Sequence, residues 1–277
     1  MIKPLDAPPR SSRKLDSIRG FAAAKSAGEK LVVVTAYDAW SARLLASVPV
    51  DALLVGDSAM MVVHGERDTL GATIELMTLH TRAVARGAPD SLIIADMPFL
   101  SVRQGTAHAL DCAAQLMRAG AHAVKIEGAQ GHTDVIYHLV QSGIPVMGHL
   151  GLTPQSVYGL GGYRVQGRDA AAAARLREDA AALETAGVFA LVLECIPQSL
   201  AAAVTAARRV PTIGIGAGRQ CDGQVLVLQD LLGLNPGFRP RFARAFVDGA
   251  ALVRRGAGRF AAAVRGGRFP REKEGFQ

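Results

Sequence analysis

The stretch HAVKIEG, residues 122–128, has the composition of a buried strand but carries two charged side chains. Side chains alternate along a strand, so Lys125 and Glu127 share one face while Val124 and Ile126 share the other. Burying charges without compensation is costly, so a charged face needs a structural or functional reason. The segment therefore predicts a strand whose apolar face packs on helices and whose charged face points inward.

Similar short apolar runs recur along the chain, and each ends in a polar residue followed by a loop that contains glycine or proline. The runs are KLVVVTAYD (30–38), DALLVGDS (51–58), SLIIADMP (91–98), HAVKIEG (122–128), IPVMGHLG (144–151), ALVLECIP (190–197), VPTIGIGAG (210–218) and the weaker GQVLVLQD (223–230). Helical patterns lie at about 38–47, 73–86, 105–119, 133–142, 170–186 and 198–208. Strands that alternate with helices indicate a parallel sheet covered by helices.

Eight such strands predict an α/β fold of the (β/α)8 TIM-barrel type, with outer helices around parallel strands. A doubly wound open sheet is the alternative, although the chain lacks the GxGxxG fingerprint followed by a ribose-binding acid. We expect residues 1–15 to form a flexible arm and residues 16–264 to form a single catalytic domain. This domain starts with a short N-terminal helix before the barrel, and residues 265–277 form a C-terminal tail.

Composition, charge and cysteine spacing indicate which partners and which cellular location to expect. The formal charge of +7 allows anionic partners, but no basic motif interleaved with aromatic residues is present, so we expect no nucleic-acid partner. No apolar run is long enough to span a membrane, and the first residues lack the apolar region of a signal peptide. The three cysteines are widely spaced, which favours a reducing, cytoplasmic location. Cys195 has no histidine nearby in sequence and is interpreted as a small core residue.

Ionisable residues stand at the carboxyl ends of several predicted strands, which is the end where a barrel builds its active site. They are Asp57, Asp96, Lys125, Glu127, His149 and Glu194. Carboxylate ligands without a Cys or His cluster are typical of Mg²⁺, which would leave room for a bidentate oxo acid. Glu194 could then act as a general base, and Lys125 could hold a carboxylate or an enolate.

Structural interpretations remain open for each of these residues taken singly. An aspartate at a strand end often forms a turn or a helix cap. Lys125 and Glu127 could form an ion pair with each other. His149 could contact a substrate or be a core histidine. If the charges serve a site, replacing Lys125 should reduce turnover and oxo-acid binding more than folding.

Longer motifs resemble ketopantoate hydroxymethyltransferase, in order and over about residues 30–250. They are VTAYD (34–38), LLVGDS (53–58), LHTRAVARGAP (79–89), ADMPF (95–99), MRAGAHAVKIEG (117–128), VMGHLGLTPQS (146–156), GGYRVQGR (161–168), LVLECIP (191–197), IGIGAG (213–218) and CDGQVLVLQD (221–230). The resemblance implies a Mg²⁺-dependent barrel enzyme of pantothenate biosynthesis. Such an enzyme moves a hydroxymethyl group from 5,10-methylenetetrahydrofolate to 3-methyl-2-oxobutanoate and forms 2-dehydropantoate.

The resemblance also implies roles for individual residues. Asp57, Asp96 and Glu127 would hold the metal, and Glu194 would remove the C3 proton. The substrate contacts would be Asp57, Ser58, Asp96 and Lys125. His149 is added to the predicted substrate contacts because of its place in GHLG, not because of the resemblance. The resemblance implies a homo-oligomer, typically a decamer. An alternative function is a Mg²⁺-dependent oxo-acid lyase or mutase of the phosphoenolpyruvate mutase/isocitrate lyase type, but no KKCGH-like loop is present.

Overall fold

The structure is a computed structural model that describes residue 15, residues 17–235, residue 237 and residues 240–276. The chain divides into two compact units, one ending at Val227 and the other starting at Leu228. The predicted N-terminal arm lies outside the described residues except for Leu15, which is buried. The predicted single domain over 16–264 stays a prediction.

The first unit contains a closed barrel of eight parallel strands, in which each strand pairs with its neighbours in sequence and β8 pairs with β1. The (β/α)8 prediction is therefore confirmed, including the weak eighth strand. The strands are β1 Leu31–Thr35, β2 Ala52–Val55, β3 Ile93–Asp96, β4 Ala123–Glu127, β5 Val146–Gly151, β6 Ala190–Glu194, β7 Thr212–Ile215 and β8 Gly223–Leu226.

Helices follow most strands, and the six helices predicted at 38–47, 73–86, 105–119, 133–142, 170–186 and 198–208 agree with the observed bounds to within one or two residues. Two short helices, α3 and α9, carry too few residues to show a helical period and were not predicted. The helices are α1 Arg19–Ala27, α2 Ala39–Leu45, α3 Ala59–Val62, α4 Ile74–Gly87, α5 Thr106–Arg118, α6 Thr133–Gln141, α7 Ala170–Ala186, α8 Gln198–Ala207, α9 Leu228–Leu231 and α10 Gly249–Arg265.

Local side-chain chemistry sets several of these boundaries. The side chains of Asp38, Thr73 and Asp169 accept hydrogen bonds from backbone N–H groups in the first turns of α2, α4 and α7. Such caps satisfy donors that have no partner inside the helix. Gly28 ends α1 in the left-handed region, at φ 68°, which a glycine adopts without steric cost.

The core has two parts, which follow the alternation of side chains along the strands. Val124 and Ile126 of β4 belong to the larger cluster, which lies between the strands and the outer helices. Ala123 belongs to the second cluster, together with Phe21 of α1 and other residues near the amino ends of the strands. Helix α1 therefore packs at the amino end of the barrel, and the carboxyl end is left for polar residues.

The second unit contains α9 and α10. Helix α10 begins at Gly249 and is capped by Asp248, whose side chain accepts a hydrogen bond from the N–H of Ala251. Among the described residues, no helix is both long enough and apolar enough to cross a membrane.

Candidate active site

The carboxyl ends of β2 to β6 bring the predicted polar residues together. In the strand register, Asp96 pairs with Lys125, Glu127 pairs with His149, and Glu194 pairs with Gly151. Asp57 follows β2, and its backbone N–H donates to Asp96 Oδ2 at 3.0 Å. Asp57, Asp96, Lys125 and His149 are all buried.

Lys125 lies at the centre of this cluster. Its Nζ is 3.0 Å from Asp96 Oδ1 and 3.8 Å from Glu127 Oε1. It is also 3.2 Å from His149 Nδ1. Burial by itself lowers the pKa of Lys125, but the facing carboxylates outweigh burial and raise the pKa above its usual value. The ammonium group is therefore the internal counter-ion of the acids, and its nearest carboxylate belongs to Asp96.

The three acids differ in their electrostatic surroundings. Burial and the nearby charges of Asp96 and Glu127 raise the pKa of Asp57 well above its usual value. Burial also raises the pKa of Asp96, although Lys125 opposes this shift. Burial raises the pKa of Glu127 too, but contacts with His149 and Lys125 outweigh it, and the net shift is downward. Three acids therefore share one lysine, and burial opposes the ionisation of all three.

His149 connects this cluster to Glu194. Its Nδ1 is 3.3 Å from Glu127 Oε1, and its Nε2 is 3.3 Å from Glu194 Oε2. Burial lowers the pKa of His149, but the two glutamates outweigh burial and raise the pKa to about 9. Glu194 is more accessible than the other acids, with a side chain that is 16% exposed. A carboxylate that is oriented by an imidazole and open on one side is suited to accept a proton.

Ser58 lies beside the cluster, and its hydroxyl shares a 2.8 Å hydrogen bond with the hydroxyl of the fully buried Tyr37. Gly56 makes room for this arrangement, since a Cβ at that position would lie 2.6 Å from Ser58 Oγ. Tyr37 was not predicted as a site residue. The sequence indicated it only by its place in VTAYD, two residues after the end of β1 and at the same end of the barrel as the acids.

Gln155 is the second residue that the sequence analysis missed. Its side-chain Nε2 donates to Asp57 Oδ2 at 2.8 Å and to Met97 O at 2.9 Å, and its backbone N–H donates to Glu127 Oε2 at 3.0 Å. An uncharged side chain in a loop leaves no charge pattern in the sequence. The signal available was its place in GHLGLTPQS, shortly after β5.

The oxygens of the acid cluster are of the ligand type that the predicted metal requires. Among the described residues, no three His, Cys, Asp or Glu side chains are arranged to hold a metal ion as they stand. Asp96 Oδ1 and Glu127 Oε1 are nevertheless buried without a hydrogen-bond partner, and the Lys125 contact to Asp96 is an ionic contact without hydrogen-bond geometry. Buried carboxylate oxygens that lack a hydrogen bond, on three acids that lie close together, fit a hard divalent cation.

A small cavity of about 250 Å³ is lined by Arg67, Asp68, Tyr158 and Tyr163, together with Val157 and two glycines. The Tyr158 hydroxyl donates to Asp68 Oδ2 at 2.8 Å, and the Tyr163 hydroxyl contacts Met61 Sδ at 3.4 Å. Helix α3, which carries Met61, begins directly after Ser58. The cavity therefore lies on the side of the barrel where the acids meet.

Cys195 lies next to Glu194 and is one of two non-glycine residues with positive φ, at 47°, among the described residues. Burial and the neighbouring Glu194 charge raise the pKa of its thiol to about 12. A thiol of this kind is a poor nucleophile at neutral pH, because the thiolate is the reactive form.

Solved structures with a similar fold include phosphonopyruvate hydrolase in complex with oxalate and Mg²⁺. That match has a TM-score of 0.60 at 14% identity and covers 94% of this chain and 93% of the other. A 2,3-dimethylmalate lyase of the PEP mutase/isocitrate lyase superfamily matches with a TM-score of 0.56 at 20% identity, over 95% and 92% of the two chains. At these identities the likeness shows the barrel fold alone.

Sequence comparison gives a closer match. A 3-methyl-2-oxobutanoate hydroxymethyltransferase of Bdellovibrio bacteriovorus is 48% identical over 262 residues, which are 95% of this chain and 100% of the relative. The enzyme of that name from Coxiella burnetii is 49% identical over 90% of this chain and 94% of its own length. The family model described as ketopantoate hydroxymethyltransferase matches residues 16–272. The chain therefore belongs to the ketopantoate hydroxymethyltransferase family.

Proposed function

We propose that the protein transfers a hydroxymethyl group from 5,10-methylenetetrahydrofolate to 3-methyl-2-oxobutanoate, forms 2-dehydropantoate and depends on Mg²⁺. Family membership supports the reaction type. The observation that carries the mechanism is the buried cluster of Asp57, Asp96 and Glu127 around Lys125, with Glu194 more exposed at its edge. This arrangement separates groups that can bind an oxo acid from a group that can remove its proton.

The metal would be held by Asp57, Asp96 and Glu127, whose oxygens are the ligand type that Mg²⁺ prefers. When bound, Mg²⁺ polarises the 2-oxo group of the substrate and so makes the C3 proton more acidic. The protein supplies the remaining functions through its own side chains.

Lys125 provides a fixed positive charge for the carboxylate or the enolate oxygen of the substrate. Ser58 offers a hydroxyl held in place by Tyr37, since the two oxygens are 2.8 Å apart. Preorganised groups of this kind stabilise developing charge without reorganising during the reaction.

Glu194 takes the proton from C3. His149 orients the Glu194 carboxylate, because its Nε2 lies 3.3 Å from Glu194 Oε2. The electron pair left at C3 forms the new carbon–carbon bond to the one-carbon unit. Both C–N bonds of the methylene carbon break, and water supplies the oxygen of the hydroxymethyl group. The C3 proton and the two protons of water end on the two folate nitrogens and the new hydroxyl, so tetrahydrofolate is released and atoms and charge balance. The lyase or mutase alternative is supported only by the shared fold, whereas the family match supports the transferase.

Deuterium exchange at C3 of 3-methyl-2-oxobutanoate tests the proton transfer without the folate. The oxo acid and Mg²⁺ are incubated with enzyme in D2O, and exchange is followed by NMR. We expect Glu194→Gln to lose exchange by several hundred-fold or more while Mg²⁺ binding is retained, since a general base contributes about 10²–10⁴-fold. Glu178→Gln is the matched control, because Glu178 is exposed on α7, away from the acid cluster.

Exchange by Glu194→Gln at the wild-type rate would show that Glu194 is not the base. Adding 5,10-methylenetetrahydrofolate to the wild type then tests the complete reaction by formation of 2-dehydropantoate. Absence of product with intact exchange would reject the proposed donor but retain the base. The cytoplasmic location and the homo-oligomeric state stay predictions.

A further inference from the structure

The turn after β5 brings an uncharged residue into the acid cluster. A 3-10 helix over Pro154–Ser156 follows this strand closely. It places Gln155 so that its side chain reaches Asp57 while its backbone N–H reaches Glu127. One residue thus contacts two acids that come from different strands.

The hydrogen bonds divide the oxygens of the three acids into two groups. One oxygen of each acid is held by an N–H donor: Asp57 Oδ2 and Glu127 Oε2 by Gln155, and Asp96 Oδ2 by the Asp57 backbone. Asp96 Oδ1 and Glu127 Oε1 are buried without a hydrogen bond of this kind. Asp96 Oδ1 lies 3.0 Å from Lys125 Nζ, and Glu127 Oε1 lies 3.3 Å from His149 Nδ1 and 3.8 Å from Lys125 Nζ. The donors therefore fix one oxygen of each carboxylate and leave Asp96 Oδ1 and Glu127 Oε1 with ionic contacts only.

A glutamine suits this position for chemical reasons. Its amide offers two N–H donors, and both are used, one on Asp57 and one on the Met97 carbonyl. The hydrogen bond to Met97 O anchors the Gln155 side chain to the backbone after β3. The hydrogen bond to Asp57 Oδ2 is therefore made by a side chain whose position is fixed. Because the amide is uncharged, it orients the carboxylate without neutralising the charge that a cation needs.

We propose that Gln155 is a positioning residue that fixes one oxygen each of Asp57 and Glu127, so that the two carboxylates present a preorganised site to a divalent cation. The inference rests on the proposed function, which supplies the metal. Gln155 itself does not bind the metal in this proposal but orients the carboxylates that do. Removing partners that orient metal ligands typically costs about 10- to 100-fold in metal affinity.

The test compares Gln155→Met with wild type by isothermal titration of metal-depleted protein with Mg²⁺. Methionine keeps a similar length and removes both side-chain donors. We expect the Kd for Mg²⁺ to rise by about 10- to 100-fold. Gln166→Met is the matched control, because Gln166 lies in the same connection between β5 and α7 and its side chain donates only to the Arg164 carbonyl. We expect this control to bind Mg²⁺ as the wild type does.

A structural role alone would lower thermal stability without changing Mg²⁺ affinity. The thermal stability of each variant is therefore measured by circular dichroism in EDTA. If Gln155→Met does not fold, Gln155→Asn replaces it, because the asparagine side chain is one methylene too short to reach Asp57. A folded Gln155 variant that binds Mg²⁺ as tightly as wild type, or more tightly, would overturn the inference. Absence of Mg²⁺ binding by the wild type would instead overturn the proposed metal, and this role with it.

Discussion

Replacing Lys125 by methionine tests whether this side chain is the counter-ion of the acid cluster. Methionine keeps an unbranched apolar stem of similar size and removes only the charged end. The side chain of Lys125 is 6% exposed, and those of Asp96 and Glu127 are 3% and 5% exposed. Solvent therefore cannot replace the ammonium group without a rearrangement of the barrel mouth.

The expected loss of stability follows from this burial. Removing one partner of a buried ion pair costs about 3–5 kcal/mol, because the remaining charge is left uncompensated. For a unit of roughly 150–250 residues, 1 kcal/mol corresponds to about 2–4 °C in Tm, so we expect a fall of about 6–20 °C in EDTA. The expectation from sequence that a change at Lys125 would affect turnover more than folding stays a prediction, to which the structure adds this loss of stability.

Thermal unfolding followed by circular dichroism measures this loss. Lys25→Met is the matched control, because Lys25 also pairs with an aspartate, Asp222, at 2.8 Å, but the side chains are 19% and 15% exposed. We expect the control to lose only about 1 kcal/mol. Saturating Mg²⁺ should raise the Tm of Lys125→Met by more than that of wild type, since the cation supplies the missing positive charge.

Two outcomes would contradict this reasoning. A Tm of Lys125→Met within about 2 °C of wild type in EDTA would mean that the acids do not need the ammonium group. Equal losses in Lys125→Met and Lys25→Met would mean that burial of the ion pair does not set its contribution.

Three further predictions concern the surrounding fold. Because burial and Glu194 raise the Cys195 pKa to about 12, very little of the thiol is ionised at pH 8. Iodoacetamide should therefore label Cys195 far more slowly in the folded protein than in urea, and equal labelling by mass spectrometry would contradict this. Gly87→Ala should destabilise by about 1–3 kcal/mol, because the added Cβ would collide with the Ala39 backbone. Gly256→Ala on α10 meets nothing within 4 Å and should not destabilise; equal melting losses would refute the steric argument. Asp169→Ala should cost about 1 kcal/mol by removing the cap of α7, and an unchanged urea midpoint would contradict it.

The barrel could be predicted from sequence because its signals are local. A short apolar run predicts each strand. The spacing of apolar residues and the capping residues, such as Asp38 and Thr73, predict the helices. The alternation in AVKIE correctly separated Val124 and Ile126, which pack in the outer cluster, from Lys125 and Glu127. In a closed barrel of parallel strands, the carboxyl ends of all strands lie at the same end, independently of loop conformation.

The sequence by itself determined the barrel, the family resemblance and the set of ionisable residues at one end of the strands. The tertiary structure decided which of these residues touch. The carboxylate nearest to Lys125 belongs to Asp96 on the neighbouring strand β3, because the strand register places the two residues opposite each other. Gln155 lies in the turn after β5, and Tyr37 lies in the loop after β1. In such segments the loop conformation, and not a periodic pattern, sets the direction of the side chain. Hydrogen bonds from uncharged groups depend on distances of about 3 Å between remote residues, and no local pattern encodes them.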